Sequence, residues 1–102
     1  VHARATTSLA AGGPIMNAEI ELNEQVDVVA LFRPGRTMCE PIKFRRKSGR
    51  EIVITEIGLR HPKPHGARLV HIFDVTDGGA DYRLEFDAEH LTWRLTREAD
   101  VW

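Results

Sequence analysis

Residues 69–96 read LVHIFDVTDGGADYRLEFDAEHLTWRLT, and this stretch decides the fold class. Three segments within it place apolar or aromatic side chains on every second position, which is the period of a half-buried β-strand. The alternating residues are Leu69, His71, Phe73 and Val75, then Tyr82, Leu84 and Phe86, then Leu91, Trp93 and Leu95. Charged and hydroxyl side chains fill the intervening positions of the second and third segments, so one face meets water. That alternation is typical of an antiparallel sheet.

Shorter runs of the same kind precede this stretch, at residues 19–22 and 26–32 and at two pairs, Ile42 with Phe44 and Ile52 with Ile54. Turn residues separate the runs, because glycines allow the backbone to reverse where φ is positive. We predict reversals at Arg33–Arg36, Lys47–Arg50, Asp77–Gly79 and, without a glycine, at Asp87–His90. The apolar positions change parity between Ile54 and Ile57, which predicts a bulge near Thr55–Gly58.

These patterns predict an all-β fold. We expect an antiparallel meander of about five to seven strands that forms a curled sheet or a small open barrel. Its core is predicted to contain Trp93, Phe73, Phe86, Tyr82, Ile52, Ile54 and Leu84, with Phe44 placed there by the parity that it shares with Ile42.

The chain has 102 residues, of which 42% are hydrophobic, and this suits one domain that buries roughly two thirds of its unfolded surface. We expect a single β-domain over residues 18–102. The preceding residues 1–17 are rich in Ala, Thr and Gly, which predicts a disordered leader or a vector-derived segment. No stretch approaches the roughly 20 apolar residues that span a bilayer, and Cys39 is the only cysteine. We therefore expect a cytoplasmic protein without a disulfide.

Charge is divided along the chain although the formal net charge is only −1. Residues 33–68 carry ten basic and three acidic side chains, whereas residues 69–102 carry three basic and eight acidic ones. Five of the cations lie on one predicted hairpin: Lys43, Arg45, Arg46, Lys47 and Arg50. A basic hairpin can lie along a nucleic-acid backbone and release counterions, which predicts a binding module that contacts phosphates.

Two alternatives compete with this interpretation. The hairpin cations can be a solvated face whose partners are acids from neighbouring strands, and base stacking has no obvious aromatic platform beside them. The divided charge also suits a homo-oligomer, or an acidic protein partner, in which the basic middle of one chain meets an acidic surface.

Catalysis and metal binding are weaker predictions. His61, His65, His71 and His90 lack the paired cysteines or the helical His pair of a zinc site. Cys39 precedes a strand and is expected to be a buried apolar side chain. We therefore expect no enzyme activity, cofactor or metal, and an enzyme would require a concave pocket that holds Cys39 or two of the histidines.

The segment from Pro41 to Leu95 resembles small prokaryotic β-domains of unknown function. The resemblance rests on Pro41-Ile42-Lys43-Phe44, Gly49-Arg50, Ile52-Val53-Ile54, Phe73-Asp74-Val75, Tyr82-Arg83-Leu84-Glu85-Phe86-Asp87 and Trp93. Such domains open with a proline and an aromatic strand and close on a tyrosine strand followed by a tryptophan strand. The resemblance implies the fold and no activity.

Overall fold

A computed structural model describes residues 19–36 and 39–100, so the predicted disorder of residues 1–17 lies outside the described residues. The described residues form seven strands: β1 (Glu19–Leu31), β2 (Glu40–Arg45), β3 (Glu51–Val53), β4 (Glu56–His65), β5 (Arg68–Thr76), β6 (Ala80–Asp87) and β7 (Thr92–Asp100). They contain no helix, and hence none long and apolar enough to cross a membrane. The predicted all-β class is confirmed.

The seven strands form one antiparallel sheet in the order β3-β2-β1-β7-β6-β5-β4. Five of its six pairings are hairpins between consecutive strands, and the sixth joins β1 to β7. Strand β1 bends between its two partners, because its first half pairs with β7 and residues 27–31 pair with β2.

The two edge strands, β3 and β4, lie at opposite ends of that order, yet only Ile54 and Thr55 separate them in the chain. The Ile54 amide donates to the Ile42 carbonyl of β2 at 2.9 Å, and the Thr55 amide donates to the Thr76 carbonyl of β5 at 2.8 Å. The chain therefore crosses from one edge to the other, and the sheet must curl into a half-barrel.

The concave face of the half-barrel holds the core. Its fully buried side chains include Phe44, Phe73, Tyr82, Leu84 and Leu95. Trp93 stacks on Phe86 with ring centroids 4.6 Å apart and lies 5.4 Å from Phe73, while Phe44 meets Tyr82 edge-on at 5.3 Å. Six of the seven predicted core residues are buried, and Ile54 is half-buried against the cluster.

Four bulges interrupt the pairing. In the β1–β7 pair, Leu22 and Asn23 lie opposite Thr96 alone, because Glu21 pairs with Arg97 while Glu24 pairs with Leu95. The other three each leave one residue between consecutive pairs. One lies at Gly58, between the paired residues Ile57 and Leu59, and confirms the predicted irregularity. The second lies at Ile42, because Val29 pairs with Lys43 while Ala30 pairs with Pro41. The third lies at Thr96, because Arg83 pairs with Arg97 while Leu84 pairs with Leu95.

The structure corrects several predicted placements. The bulge turns Ile42 outward, where it is 41% exposed, so it does not share the core with Phe44. Leu69 is about half exposed because it lies where the β4–β5 hairpin extends past the core. Leu91 is not a strand residue; it ends the β6–β7 turn with φ of 56° and is 75% exposed.

Candidate functional site

The predicted basic hairpin closes through a tight turn at the end of β2. The Gly49 amide donates to the Arg46 carbonyl at 2.8 Å, and the Arg46 amide donates to the Arg50 carbonyl at 2.9 Å. Gly49 has φ of 95°, a value that a residue with a Cβ adopts only with strain. The turn residues predicted from sequence are thus in place.

Acidic partners already surround this hairpin. Lys43 Nζ lies 3.7 Å from Glu51 Oε1, and Arg45 Nη2 lies 3.0 Å from Asp27 Oδ2. Both pairs are exposed to solvent, so each contributes little to stability. Glu51 and Asp27 neutralise Lys43 and Arg45 locally, which is what we expect if the hairpin cations form a solvated face paired with neighbouring acids.

Arg46 is held more firmly than the other hairpin cations. Its Nη2 lies 2.8 Å from Glu24 Oε1 of β1, and its Nη1 lies 2.8 Å from Glu98 Oε1 of β7. The Lys47 amide also donates to Glu24 Oε2 at 2.8 Å. The hydrogen bonds from Arg46 and from the Lys47 amide lower the pKa of Glu24, and the bonds to Glu24 raise the pKa of Arg46. We call Arg46, Glu24 and Glu98 the ion triad.

Three of the five predicted contact residues, Lys43, Arg45 and Arg46, therefore pair with acids. The ion triad links the end of β2 to β1 and β7. Lys47 and Arg50 form no side-chain ion pair with any residue that the structure describes. Sequence could not reveal the triad, because Glu98 reaches the concave face only through the bulge at Thr96. The role of the hairpin in binding stays a prediction.

A second site, which sequence reasoning did not find, lies at the opposite end of the half-barrel. A cavity of about 190 Å³ opens there between the loop after β1, the start of β2, and strands β5 and β6. We call it the mouth. Its lining residues are Phe32, Arg33, Arg36, Cys39, His71, Phe73, Phe86 and Ala88.

Aromatic rings dominate the walls of the mouth. Phe32 is 69% exposed although its ring belongs to the lining, and the His71 ring stacks against Phe86 at 6.4 Å. A shallow groove of about 480 Å³ shares Phe32 and Phe86 with the mouth and continues along Leu91 and Trp93. An exposed phenylalanine and leucine beside a stack of buried rings form an apolar platform open to solvent.

Cations frame this platform. Arg33 Nε lies 3.3 Å and Arg36 Nη1 lies 3.9 Å from the same Glu40 carboxylate, and both arginine side chains are more than half exposed. Arg60 pairs in register with Phe73 of the mouth and forms no ion pair with the described residues. The mouth therefore combines aromatic rings with Arg33 and Arg36, which share one glutamate. Arg60 does not line the cavity, but its charge acts on the Cys39 thiol of the lining.

Cys39 and His71 both line the mouth, which is the concave pocket that an enzyme was expected to need. Burial raises the pKa of the Cys39 thiol, and the nearby charge of Arg60 only partly offsets this rise. His71 Nδ1 is buried and has no hydrogen-bond partner among the residues that the structure describes. The cysteine is thus kept as a thiol, whereas a nucleophile requires a lowered pKa.

The other predicted histidines do not join His71. His90 Nδ1 lies 3.0 Å from Asp87 Oδ2, and its hydrogen bond lowers the pKa of Asp87. Among the described residues, the one group of three possible metal ligands is Asp87, Glu89 and His90, which contains a single histidine. His61 lies within β4 and His65 ends it at the tip of the hairpin.

Comparison of the chain with protein-family models, with curated proteins and with solved structures finds no match. The resemblance to small prokaryotic β-domains therefore stays a prediction.

Proposed function

We propose that this protein is a small non-enzymatic binding module for single-stranded nucleic acid, and that the mouth is its binding site. The observation that carries the proposal is the exposed ring of Phe32 beside Arg33 and Arg36, with the charge of Arg60 acting on Cys39 in the same cavity. Proteins that bind single strands combine aromatic side chains, on which bases stack, with a basic surface that follows the phosphates.

The size of the mouth favours one flat ring over a whole small molecule. Pockets for drug-sized ligands begin at roughly 300 Å³, which exceeds the 190 Å³ of the mouth. One base stacked on Phe32 can enter, while the rest of a strand stays on the surface and along the adjoining groove.

Arg33 and Arg36 are suited to bind phosphates because their ion pairs with Glu40 are weak. An exposed pair such as Arg33–Glu40 contributes about 0 to 1 kcal/mol, and a single carboxylate divides itself between two arginines. An arginine can instead bind a phosphate through two parallel hydrogen bonds, which are charge-assisted and stronger. Arg60 has no competing acid among the described residues.

The raised pKa of Cys39 supports a binding role over a catalytic one. A thiol at neutral pH is a poor nucleophile, and burial raises the pKa of Cys39 further above neutrality. We propose that Cys39 and His71 serve as walls of the site, where they contact the edge of the bound base.

Fluorescence anisotropy tests the proposal with labelled single-stranded DNA and RNA of mixed sequence. Stacking contributes about 1 to 3 kcal/mol per base, so Phe32→Ala should weaken binding about 5- to 150-fold. Three phosphate contacts predict a slope of about −2 for log K against log salt. A duplex of the same sequence should bind more weakly, because its bases cannot reach Phe32.

A matched pair of variants separates the two ends of the molecule. The double variant Arg33→Gln with Arg60→Gln removes two charges at the mouth and should flatten the salt slope to about −0.7. The double variant Lys47→Gln with Arg50→Gln removes two charges at the hairpin and should bind like wild type. The reverse result would place the contact on the hairpin, and no binding at low salt would overturn the proposal.

Free nucleotides form a third arm of the experiment. A mononucleotide offers one base and one phosphate, so we expect it to compete only at far higher concentration than a strand. Equal competition by a mononucleotide would mean that the mouth recognises free nucleotides instead of nucleic acid.

A further inference from the structure

A row of aliphatic side chains is exposed on the convex face of the half-barrel. Val29 of β1 pairs with Lys43 of β2, which pairs with Val53 of β3, so the three residues form one line across the strands. Val29 is 53% and Val53 is 58% exposed. Leu31 and Ile42 are also exposed, and both lie on the side of this line toward the end of β1. We call Val29, Leu31, Ile42 and Val53 the outer patch.

Single exposed aliphatic residues are ordinary on protein surfaces, but a cluster on the solvent face of three strands is not. The convex face of strands β5 to β7 shows the contrast. There Arg83 Nε lies 2.8 Å from Asp74 Oδ1, and Arg97 Nη2 lies 3.6 Å from the same oxygen. One half of the convex face is thus covered by ion pairs and the other by branched aliphatic side chains.

The bulge at Ile42 helps to create the patch. A regular β2 would keep the alternation that places Ile42 beside Phe44 in the core. The extra residue instead leaves Pro41 and Phe44 buried and Ile42 exposed. An apolar side chain is therefore moved from the core side to the surface at the point where Val29 and Val53 are already exposed.

The charges beside the row from Val29 to Val53 are balanced. Lys43 and Arg45 lie there together with Glu51 and Asp27, which makes two cations and two anions. At the other end of the outer patch, Leu31 pairs with Glu40, which binds Arg33 and Arg36. A nucleic acid or an anionic membrane would favour an excess of cations. A surface that carries both signs in equal number is complementary to itself.

We propose that the outer patch binds a second copy of this chain in a twofold-symmetric dimer. In such an isologous contact each copy presents the same surface, so Lys43 and Arg45 of one copy can face Asp27 and Glu51 of the other. The aliphatic rows pack against each other at the centre, and the charges form the rim. None of the four patch residues lines the mouth, so this proposal does not depend on the proposed function.

The patch is small, which sets the expected strength. Stable interfaces bury about 800 Å² on each partner, and four aliphatic side chains with a charged rim fall short of that area. We therefore expect a weak dimer that forms at protein concentrations on the order of 100 µM.

Sedimentation equilibrium over a range of concentrations tests this proposal without any added ligand. Wild type should rise toward the mass of two chains, whereas Val53→Lys should remain a monomer at every concentration. Leu59→Lys is the matched control, because Leu59 is equally exposed, at 55%, but lies on β4 at the opposite edge. It should dimerise as wild type does.

Three results would overturn the proposal: a wild-type monomer at every concentration up to about 500 µM, assemblies larger than two chains, or equal loss of dimer in both lysine variants. Thermal melts of the two variants check that both are folded. Val53→Thr, which keeps a branched side chain of the same shape, should weaken the dimer at least threefold without changing the strand.

Discussion

Replacing Arg46 with methionine tests whether the ion triad joins the ends of three strands. Methionine keeps the apolar stem but removes the guanidinium, which leaves Glu24 and Glu98 facing each other without a cation. Their side chains are only 16% and 21% exposed, so water compensates them poorly. Breaking a buried ion pair costs about 3 to 5 kcal/mol, and partial exposure reduces that value, so we expect Arg46→Met to cost about 2 to 3 kcal/mol.

Urea unfolding measures that loss, with Arg45→Met as the matched control on the same strand. Arg45 pairs with Asp27 at a similar distance of 3.0 Å, but both side chains are more than half exposed. The control should therefore cost no more than about 1 kcal/mol. A difference of less than about 0.5 kcal/mol between the two variants would refute the structural role of the triad.

The pH dependence of the loss provides a second check. The pKa of Glu24 is lowered in the folded protein by Arg46 and the Lys47 amide. A lowered pKa stabilises the fold above the ordinary value of 4.5, and that stability is lost as pH falls through the folded value. The gap between wild type and Arg46→Met should thus shrink below pH 4.5, and a gap that stays constant to pH 3 would contradict the assignment.

Four further substitutions test the packing and one turn. Trp93→Ala removes a ring that stacks on Phe86 and contacts Phe73, and it should cost about 3 to 5 kcal/mol in urea unfolding; an unchanged midpoint would contradict its burial. Phe44→Ala should cost a similar amount, whereas Ile42→Ala should cost less than about 1 kcal/mol, and equal losses would contradict the bulge. Leu91→Gly removes the strain of a positive φ and should raise stability by about 1 kcal/mol in thermal melts; an unchanged or lower melting temperature would contradict the strain.

The sequence predicts the sheet well because one face of each strand is buried. Alternation of the kind seen at Tyr82, Leu84 and Phe86 has no other regular explanation, and glycines mark most of the reversals. The bulge at Gly58 was also predictable, since apolar residues change parity around it and a glycine tolerates the distortion.

The bulges at Ile42 and Thr96 leave no such signal. Ile42 and Thr96 are β-branched residues that fit a regular strand, and only pairing with β1 and β6 shows that each is an extra residue. Their consequences are large, because one moves Ile42 to the surface and the other brings Glu98 to Arg46. Alternation within a strand cannot show where its neighbour skips a position.

The mouth could not be predicted from the sequence either. Its walls come from the loop after β1, the start of β2, and strands β5 and β6, which meet only because the sheet curls. Phe32 looked like the last residue of a strand, and nothing local distinguishes it from a core aromatic. Phe32 follows the last residue of β1. The position of that strand end relative to β6 decides that the Phe32 side chain is exposed beside Arg33.

The central claim, that the mouth binds a base and its phosphates, is tested most directly by amide NMR shifts during titration with a short single-stranded oligonucleotide. We expect shifts concentrated at residues 32, 33, 35, 36, 39, 60, 71 and 86, with residues 47–50 unchanged. Shifts confined to residues 47–50, or none at saturating oligonucleotide, would contradict it.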